Sequence, residues 1–265
     1  MRKILDRVAS GEISAIEAER LLRLDGIKEI KDFAKLDLDR EIRKGIPEII
    51  LSEGKEPSQV VKIARSLLEA RGRVIISRAS SNHLESLRSL KTTRNSWKLT
   101  STGLLVIKRS RIRIPETGGR VGILTAGTSD IPIAEEAKIV AEEMGCTVLI
   151  ENDVGVAGIH RVFPAIRRML KADVDVLIVA AGREGALPTV VAGLVDLPII
   201  GLPVSTGFGA GGHGKAALLA MLQACSLGIA VVNIDGGVAA GALAALIANR
   251  VARFRTNSSV KRTTS

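Results

Sequence analysis

Residues 119–132 read GRVGILTAGTSDIP. The apolar run Val121 to Leu124 is followed by a turn of small polar residues, Thr125 to Asp130. A helical pattern then places Ala134, Ala137, Val140, Ala141 and Met144 on one face. Strand, tight turn and helix N-terminus in that order is how a parallel α/β sheet presents unpaired backbone N–H groups to an anion. Ser129 or Asp130 can cap the helix, and Pro132 suits its first turn. An ordinary βα turn with a good cap would look the same, so the weight falls on the chain downstream.

There the same grammar recurs. Apolar strands are expected at 121–124, 147–151, 176–180, 199–202 and 229–234, alternating with helices at about 132–144, 161–171, 186–195, 214–225 and 238–252. Short, nearly all-apolar strands between amphipathic helices imply a parallel sheet covered on both faces. Ligands of such sheets bind beyond the carboxyl ends of the strands, so the five loops there are where chemistry is to be sought.

The first loop offers Thr128, Ser129 and Asp130. The second, NDVGVAGIHR at 152–161, places an imidazole and a guanidinium at the start of a helix. Arg161 could clamp a phosphate and His160 could donate to one, although helix-start surface residues would read alike. The third loop, AGREGALP at 181–188, sets Arg183 and Glu184 between glycines. Glu184 is the best candidate for a general base, against the plainer alternative of a surface ion pair. The fourth, PVSTGFGAGGHGK at 203–215, holds five glycines with His213 and Lys215. It nearly matches a phosphate-binding GxxxxGK[ST] motif, but Ala216 stands where the magnesium-binding hydroxyl belongs. The fifth opens with Asp235 between Ile234 and two glycines. Cys225 sits at the end of the helix before the last strand, away from the carboxyl ends. It could serve a site only where another subunit's loops meet it or where the helix ends early. Free cysteine is more often a buried small hydrophobe, which is how Cys146 is read.

The first 119 residues differ in character. They hold 25 Lys and Arg against 16 Asp and Glu, while the remainder holds 13 against 12, so nearly all of the net charge of +10 lies there. Arg71 to Arg113 carries eleven positive residues and one negative, Glu85, which favours phosphate-bearing partners. Phe33, Trp97, Phe163, Phe208 and Phe254 are the whole aromatic set, too few to stack bases, which argues against nucleic acid. Helices are expected at 2–9 and 14–24, two short strands within 34–52, and then helix, strand, helix and strand to Ile107. The organisation expected is a small basic α+β domain at 1–114, a linker at 115–119, an α/β domain at 120–256 and a disordered polar tail at 257–265. No apolar run approaches the roughly 18–20 residues of a membrane span, and the start lacks the apolar core of a signal peptide, so a cytoplasmic protein without membrane contact is expected.

Taken together, the motifs TAGTSD, VGVAGIHR, AGREGALPTVVAGLV, PVSTGFGAGGHGKAALLAMLQACS and GIAVVNIDGG resemble the aminoimidazole ribonucleotide carboxylase family. The nearest resemblance is to its LarB branch, the pyridinium-3,5-biscarboxylic acid mononucleotide synthases of nickel-pincer nucleotide biosynthesis. It covers 120–252 strongly and reaches more weakly into LDLDREIRKGIPEIILSEGKEP. The resemblance implies a flavodoxin-like three-layer parallel α/β fold in a homo-octamer. It further implies carboxylation of nicotinic acid adenine dinucleotide by CO2 or bicarbonate, then hydrolysis of the phosphoanhydride to AMP. Cys225 would be the nucleophile and Glu184 the acidic catalytic residue, with Thr128, Ser129, Asp130, His160, Arg161, His213, Lys215 and Asp235 around the nucleotide. A divalent ion such as Mg2+ would ease the hydrolysis, with Asp130 or Asp235 as its ligands. The usual IDNGFGA after the last strand is replaced by IDGGVAA at 234–240. A purine-pathway carboxylase or mutase needs neither the thiol nor the first 119 residues.

Overall fold

The structure, a computed structural model, describes residues 2–24, 27–30 and 34–262. The chain divides into two compact units, one formed by 1–99 and 103–112 and the other by 100–102 and 113–265.

The first unit opens with helices α1 (Arg2–Ala9) and α2 (Ala15–Leu24), the latter started by the Ser14 hydroxyl accepting the Glu17 N–H. Strands β1 (Ile27–Ile30) and β2 (Ala34–Asp37) form an antiparallel pair, and α3 (Arg40–Lys44) ends at Gly45. A four-stranded mixed sheet follows, in the order β3-β4-β6-β5: β3 (Ile49–Leu51), β4 (Arg73–Ser77), β5 (Asn95–Leu99) and β6 (Leu105–Arg109). Helices α4 (Pro57–Arg71) and α5 (Ser81–Leu87) cover it through Val60, Ile63, Ala64, Leu67 and Leu87, packed on Val74, Ile76, Leu105 and Ile107. Sequence reasoning missed β1 and β5. The exposed polar positions of β5 break the apolar signal, so only its pairing with β6 makes it a strand.

The second unit contains five parallel strands: β7 (Arg120–Thr125), β8 (Thr147–Glu151), β9 (Val176–Ala181), β10 (Ile199–Pro203) and β11 (Ile229–Val231). Their spatial order is β11-β10-β9-β7-β8. Counted within the unit this is 2-1-3-4-5, the flavodoxin-like winding, with its topological switch between β7 and β9. On one face lie α6 (Ile131–Glu143) and α10 (Gly237–Arg262); on the other, α7 (Val162–Lys171), α8 (Leu187–Ala192) and α9 (Lys215–Leu222). Every residue of β9 is buried, as a central strand covered on both faces demands, and each large side chain there contributes roughly 1.5–3 kcal/mol.

Four expectations change. Residues 115–119 are no free linker: Thr117 donates its N–H to the Gly145 carbonyl at 2.9 Å, and Gly119 lies tight against α10. The last helix does not stop at 252 but runs to Arg262, through most of the expected tail, because extending a formed helix costs little per residue; 263–265 lie outside the described residues. Its segment Gly237–Arg255 is long and apolar enough to cross a membrane by length and composition alone, contrary to the reading that no run approaches that length. Here Ala240, Ala244, Ala245, Ala248 and Ala252 are buried within the unit. Finally, α9 stops at Leu222, short of Cys225, and β11 at Val231.

Candidate active site

The switch between β7 and β9 splays the loops that follow them apart, and a cavity of about 600 Å3 opens there. Ser129, Asp130, Arg183, Glu184, Thr206 and Phe208 are among the residues lining it.

Asp130 organises this cavity. Its side chain is 4% exposed, and one carboxylate oxygen, Oδ2, accepts the Gly127 N–H of its own turn at 2.8 Å. The other, Oδ1, accepts the Gly182 N–H of the β9 loop at 3.1 Å and the Thr206 hydroxyl of the β10 loop at 3.0 Å. One carboxylate thus ties three strand-end loops together. The expected capping of α6 by an Asp130 or Ser129 side chain does not occur; Asp130 occupies the N-cap position while its carboxylate turns to the loops. Burial raises the Asp130 pKa, and the three donors only partly offset it.

Around this knot the backbone takes left-handed conformations. Arg183 has φ of 53° and donates its N–H to the Thr206 carbonyl at 2.9 Å. At Gly185, φ is 65° and an added Cβ would stand 2.7 Å from the Ala217 backbone, so only glycine lets this loop lie on α9. Glu184 is held between these two points with its side chain exposed at the cavity. The Arg183 guanidinium lies 4.6 Å from the centre of the Phe208 ring, which is 82% exposed.

The other expected residues are distributed as follows. Thr128 and Ser129 are exposed in the single 3-10 turn before α6, and only Ser129 lines the cavity. His160 is exposed, and the Arg161 guanidinium pairs with Asp153 of its own loop at 2.7 Å; the part of that loop reaching the cavity is Gly155–Ala157. His213 and Lys215 are exposed on the glycine-rich loop but do not line the cavity. Asp235 accepts the Ser205 N–H at 2.9 Å and so braces the β10 loop from behind. Thr206, Gly182 and Phe208 were missed as site residues; the only sequence signal was their place in strand-end loops.

Cys225 lies at the opposite end of the sheet. Its neighbour Ser226 donates its hydroxyl to the Thr189 carbonyl of α8 at 2.9 Å, and the Gly228 carbonyl accepts the N–H of Ile199, the first residue of β10. The thiol is exposed, beside the exposed Leu222 and Leu227. Cys146 is buried, with its pKa pushed up to about 11 chiefly by that burial, and takes the structural role expected of it.

The donor set does not fit a magnesium site. Both Asp130 oxygens are taken by N–H and O–H donors, one Asp235 oxygen accepts a backbone N–H, and among the described residues no three His, Cys, Asp or Glu side chains converge.

Residues 120–263 match the family model for AIR carboxylase, and residues 27–102 match that for the LarB/PurE-like N-terminal domain. An uncharacterized protein of Methanocaldococcus jannaschii is 42% identical over 255 residues, spanning 94% of this chain and 96% of its own length. The N5-carboxyaminoimidazole ribonucleotide mutase of Thermotoga maritima is 32% identical over 133 residues, or 48% of this chain and 74% of its own. The enzyme of that name from M. jannaschii is 36% identical over 124 residues, or 46% of this chain and 74% of its own.

Proposed function

The chain belongs to the LarB-like branch of the AIR carboxylase (PurE-like) superfamily of carboxylases and mutases, and we propose that it carboxylates nicotinic acid adenine dinucleotide and hydrolyses the product's phosphoanhydride to release AMP. The observation that carries this reading is the meeting of Glu184 with the turn organised by Asp130 in one strand-end cavity, within the segment that matches AIR carboxylase.

A pyridinium ring is too electron-poor to attack CO2. Addition of a thiolate at the carbon para to the ring nitrogen gives a neutral dihydropyridine, whose unsubstituted meta carbon then has enamine character. That carbon forms a bond to CO2, Glu184 takes the proton it sheds, and departure of the thiolate with its electron pair restores the aromatic cation. No net oxidation occurs. Water then attacks the phosphoanhydride, giving the biscarboxylate mononucleotide and AMP. The exposed Ser129 hydroxyl offers a donor to the phosphates, and the exposed Phe208–Arg183 pair offers a lid for a planar ring.

The thiol in this scheme is that of Cys225, at the far end of its own sheet from Glu184. Leu222 is 60% and Leu227 92% exposed beside it, apolar surface that a second copy of the chain would cover. A homo-oligomer, an octamer by family resemblance, would bring the Cys225 of one subunit to the cavity of another. No metal ion enters this scheme.

The test is to incubate the pure protein with nicotinic acid adenine dinucleotide and bicarbonate and to assay AMP and the doubly carboxylated mononucleotide by mass spectrometry. Cys225→Ala and Glu184→Gln should each be inactive alone, and co-refolded mixtures of the two should recover activity, because some sites then pair an intact thiol with an intact carboxylate. Full activity of Cys225→Ala would end the covalent scheme. A second reading, an N5-carboxyaminoimidazole ribonucleotide mutase, is favoured by the half-chain match to relatives of that name. It needs no thiol, so turnover of that substrate undiminished in Cys225→Ala would establish it.

A further inference from the structure

The first unit holds a larger concavity, of about 1070 Å3, walled by Arg65, Arg94, Arg109, Arg111, Ser110 and Glu69 among others. Three separate elements build it: α4 contributes Arg65 and Glu69, the turn before β5 contributes Arg94, and the end of β6 with the following turn contributes Arg109 and Arg111. These pieces are pinned together. Ser110 donates both its N–H and its hydroxyl to the Arg94 carbonyl, at 2.8 and 2.9 Å, and Arg109 donates its N–H to the Gly72 carbonyl at 2.8 Å. Leu68, Leu90 and Ile112 give the concavity an apolar floor.

The pairing of its arginines sets this concavity apart. Elsewhere in the unit Arg40, Arg43, Arg71 and Arg73 are each ion-paired with a carboxylate. The guanidinium groups of Arg65, Arg94, Arg109 and Arg111 make no ion pair among the described residues, and Glu69 is the one carboxylate of the wall. Four positive charges against one negative leave a net +3 facing an open cleft, an arrangement that repels itself when empty and is relieved by an anion. Planar guanidinium forks match phosphate oxygens in pairs, hydroxyls add neutral donors, and an apolar floor suits a base or ribose. Half-buried Trp97 belongs to the core of the unit and lines no part of the cleft, so a stacking platform for single strands is missing from it.

We propose that this cleft is a second binding site, for a nucleotide carrying a pyrophosphate group, whose roughly three negative charges at neutral pH balance those of the wall. The inference does not rest on the reaction proposed for the α/β unit, since every residue used lies in the first unit.

The test uses the full chain with ADP as probe, AMP and inorganic phosphate as comparisons, and a single-stranded oligonucleotide as competitor. Hydrogen exchange should slow in segments 88–95 and 109–112 on adding ADP. Calorimetric affinity should follow ADP over AMP over phosphate. Arg94→Ala with Arg109→Ala should weaken ADP binding at least tenfold. Arg94→Lys with Arg109→Lys, which keeps charge but not the fork, should weaken it severalfold, and it decides the matter should the alanine pair unfold. Absence of protection in those segments at saturating ADP, or undiminished binding by the lysine pair, would overturn the proposal. So would an oligonucleotide that binds there more than tenfold tighter than ADP.

Discussion

The carboxylate of Asp130 accepts the hydroxyl of Thr206 at 3.0 Å, joining residues 76 positions apart in the chain. With the N–H groups of Gly127 and Gly182 on the same carboxylate, this contact makes the loops after β7, β9 and β10 one object. A cavity walled by three separate loops would otherwise change shape with each of them.

Asp130→Asn is therefore expected to destabilise the protein and to do so with an unusual pH dependence. Asparagine can keep its carbonyl toward Gly182 and Thr206, but its NH2 then opposes the Gly127 N–H, donor against donor, at about 1–3 kcal/mol. Burial raises the pKa of Asp130, so the folded protein holds this proton more tightly than the unfolded chain. The native residue's contribution to stability then falls as pH rises from the ordinary carboxylate range through the raised folded value. Urea unfolding from about pH 4 to 7 should show the gap between variant and native protein narrowing as pH rises. A gap that widens would mean that the donors, not burial, govern this carboxyl.

The two cysteines should differ in reactivity. At pH 8 a thiol with a pKa of about 11 is thiolate to about one part in a thousand, and Cys146 is sterically sealed as well. Brief iodoacetamide treatment followed by peptide mapping should find Cys225 alkylated and Cys146 intact. Comparable labelling of the native protein at both positions would contradict the packing of α10 over Cys146.

Gly241→Ala should unfold the α/β unit more readily, although alanine is the better helix former. The added Cβ would stand 2.3 Å from the Ala137 carbonyl oxygen, where α6 and α10 are in contact through backbone. Helix propensity would gain roughly 0.5–1 kcal/mol, while forced overpacking costs about 1–3 kcal/mol, and a backbone oxygen cannot rotate aside. Thermal unfolding should show a lower Tm; a higher one would show that the helices separate easily.

Glu184→Gln should leave stability within about 0.5 kcal/mol, because its side chain is exposed, while lowering turnover by about 10²–10⁴. Equal loss of turnover and of folding would remove Glu184 from the chemistry and make it a structural residue.

The parallel sheet was legible in the sequence because buried strands and one-sided helices leave local periodicities, and the glycine-rich loops between them marked where a ligand would go. The C-terminal end of α9 shows the limits of such reading. Apolar pattern alone extended it to Cys225, whereas the Ser226–Thr189 hydrogen bond and the approach to β11 require a loop there. Likewise β5 carries no alternation strong enough to announce it, and its partner β6 supplies the pairing.

The chain's local chemistry determined by itself the alternation of strands and helices, the strand-end position of Ser129, Asp130 and Glu184, and the surplus of positive charge before residue 114, since each depends on neighbours a few positions apart. Tertiary structure alone decided that Asp130 binds loops instead of capping its helix, that Arg161 is spent on Asp153, and that four arginines of the first unit share one cleft. Those outcomes depend on which distant side chains arrive at the same place, and burial energy, which selects that arrangement, is a property of the whole packed chain.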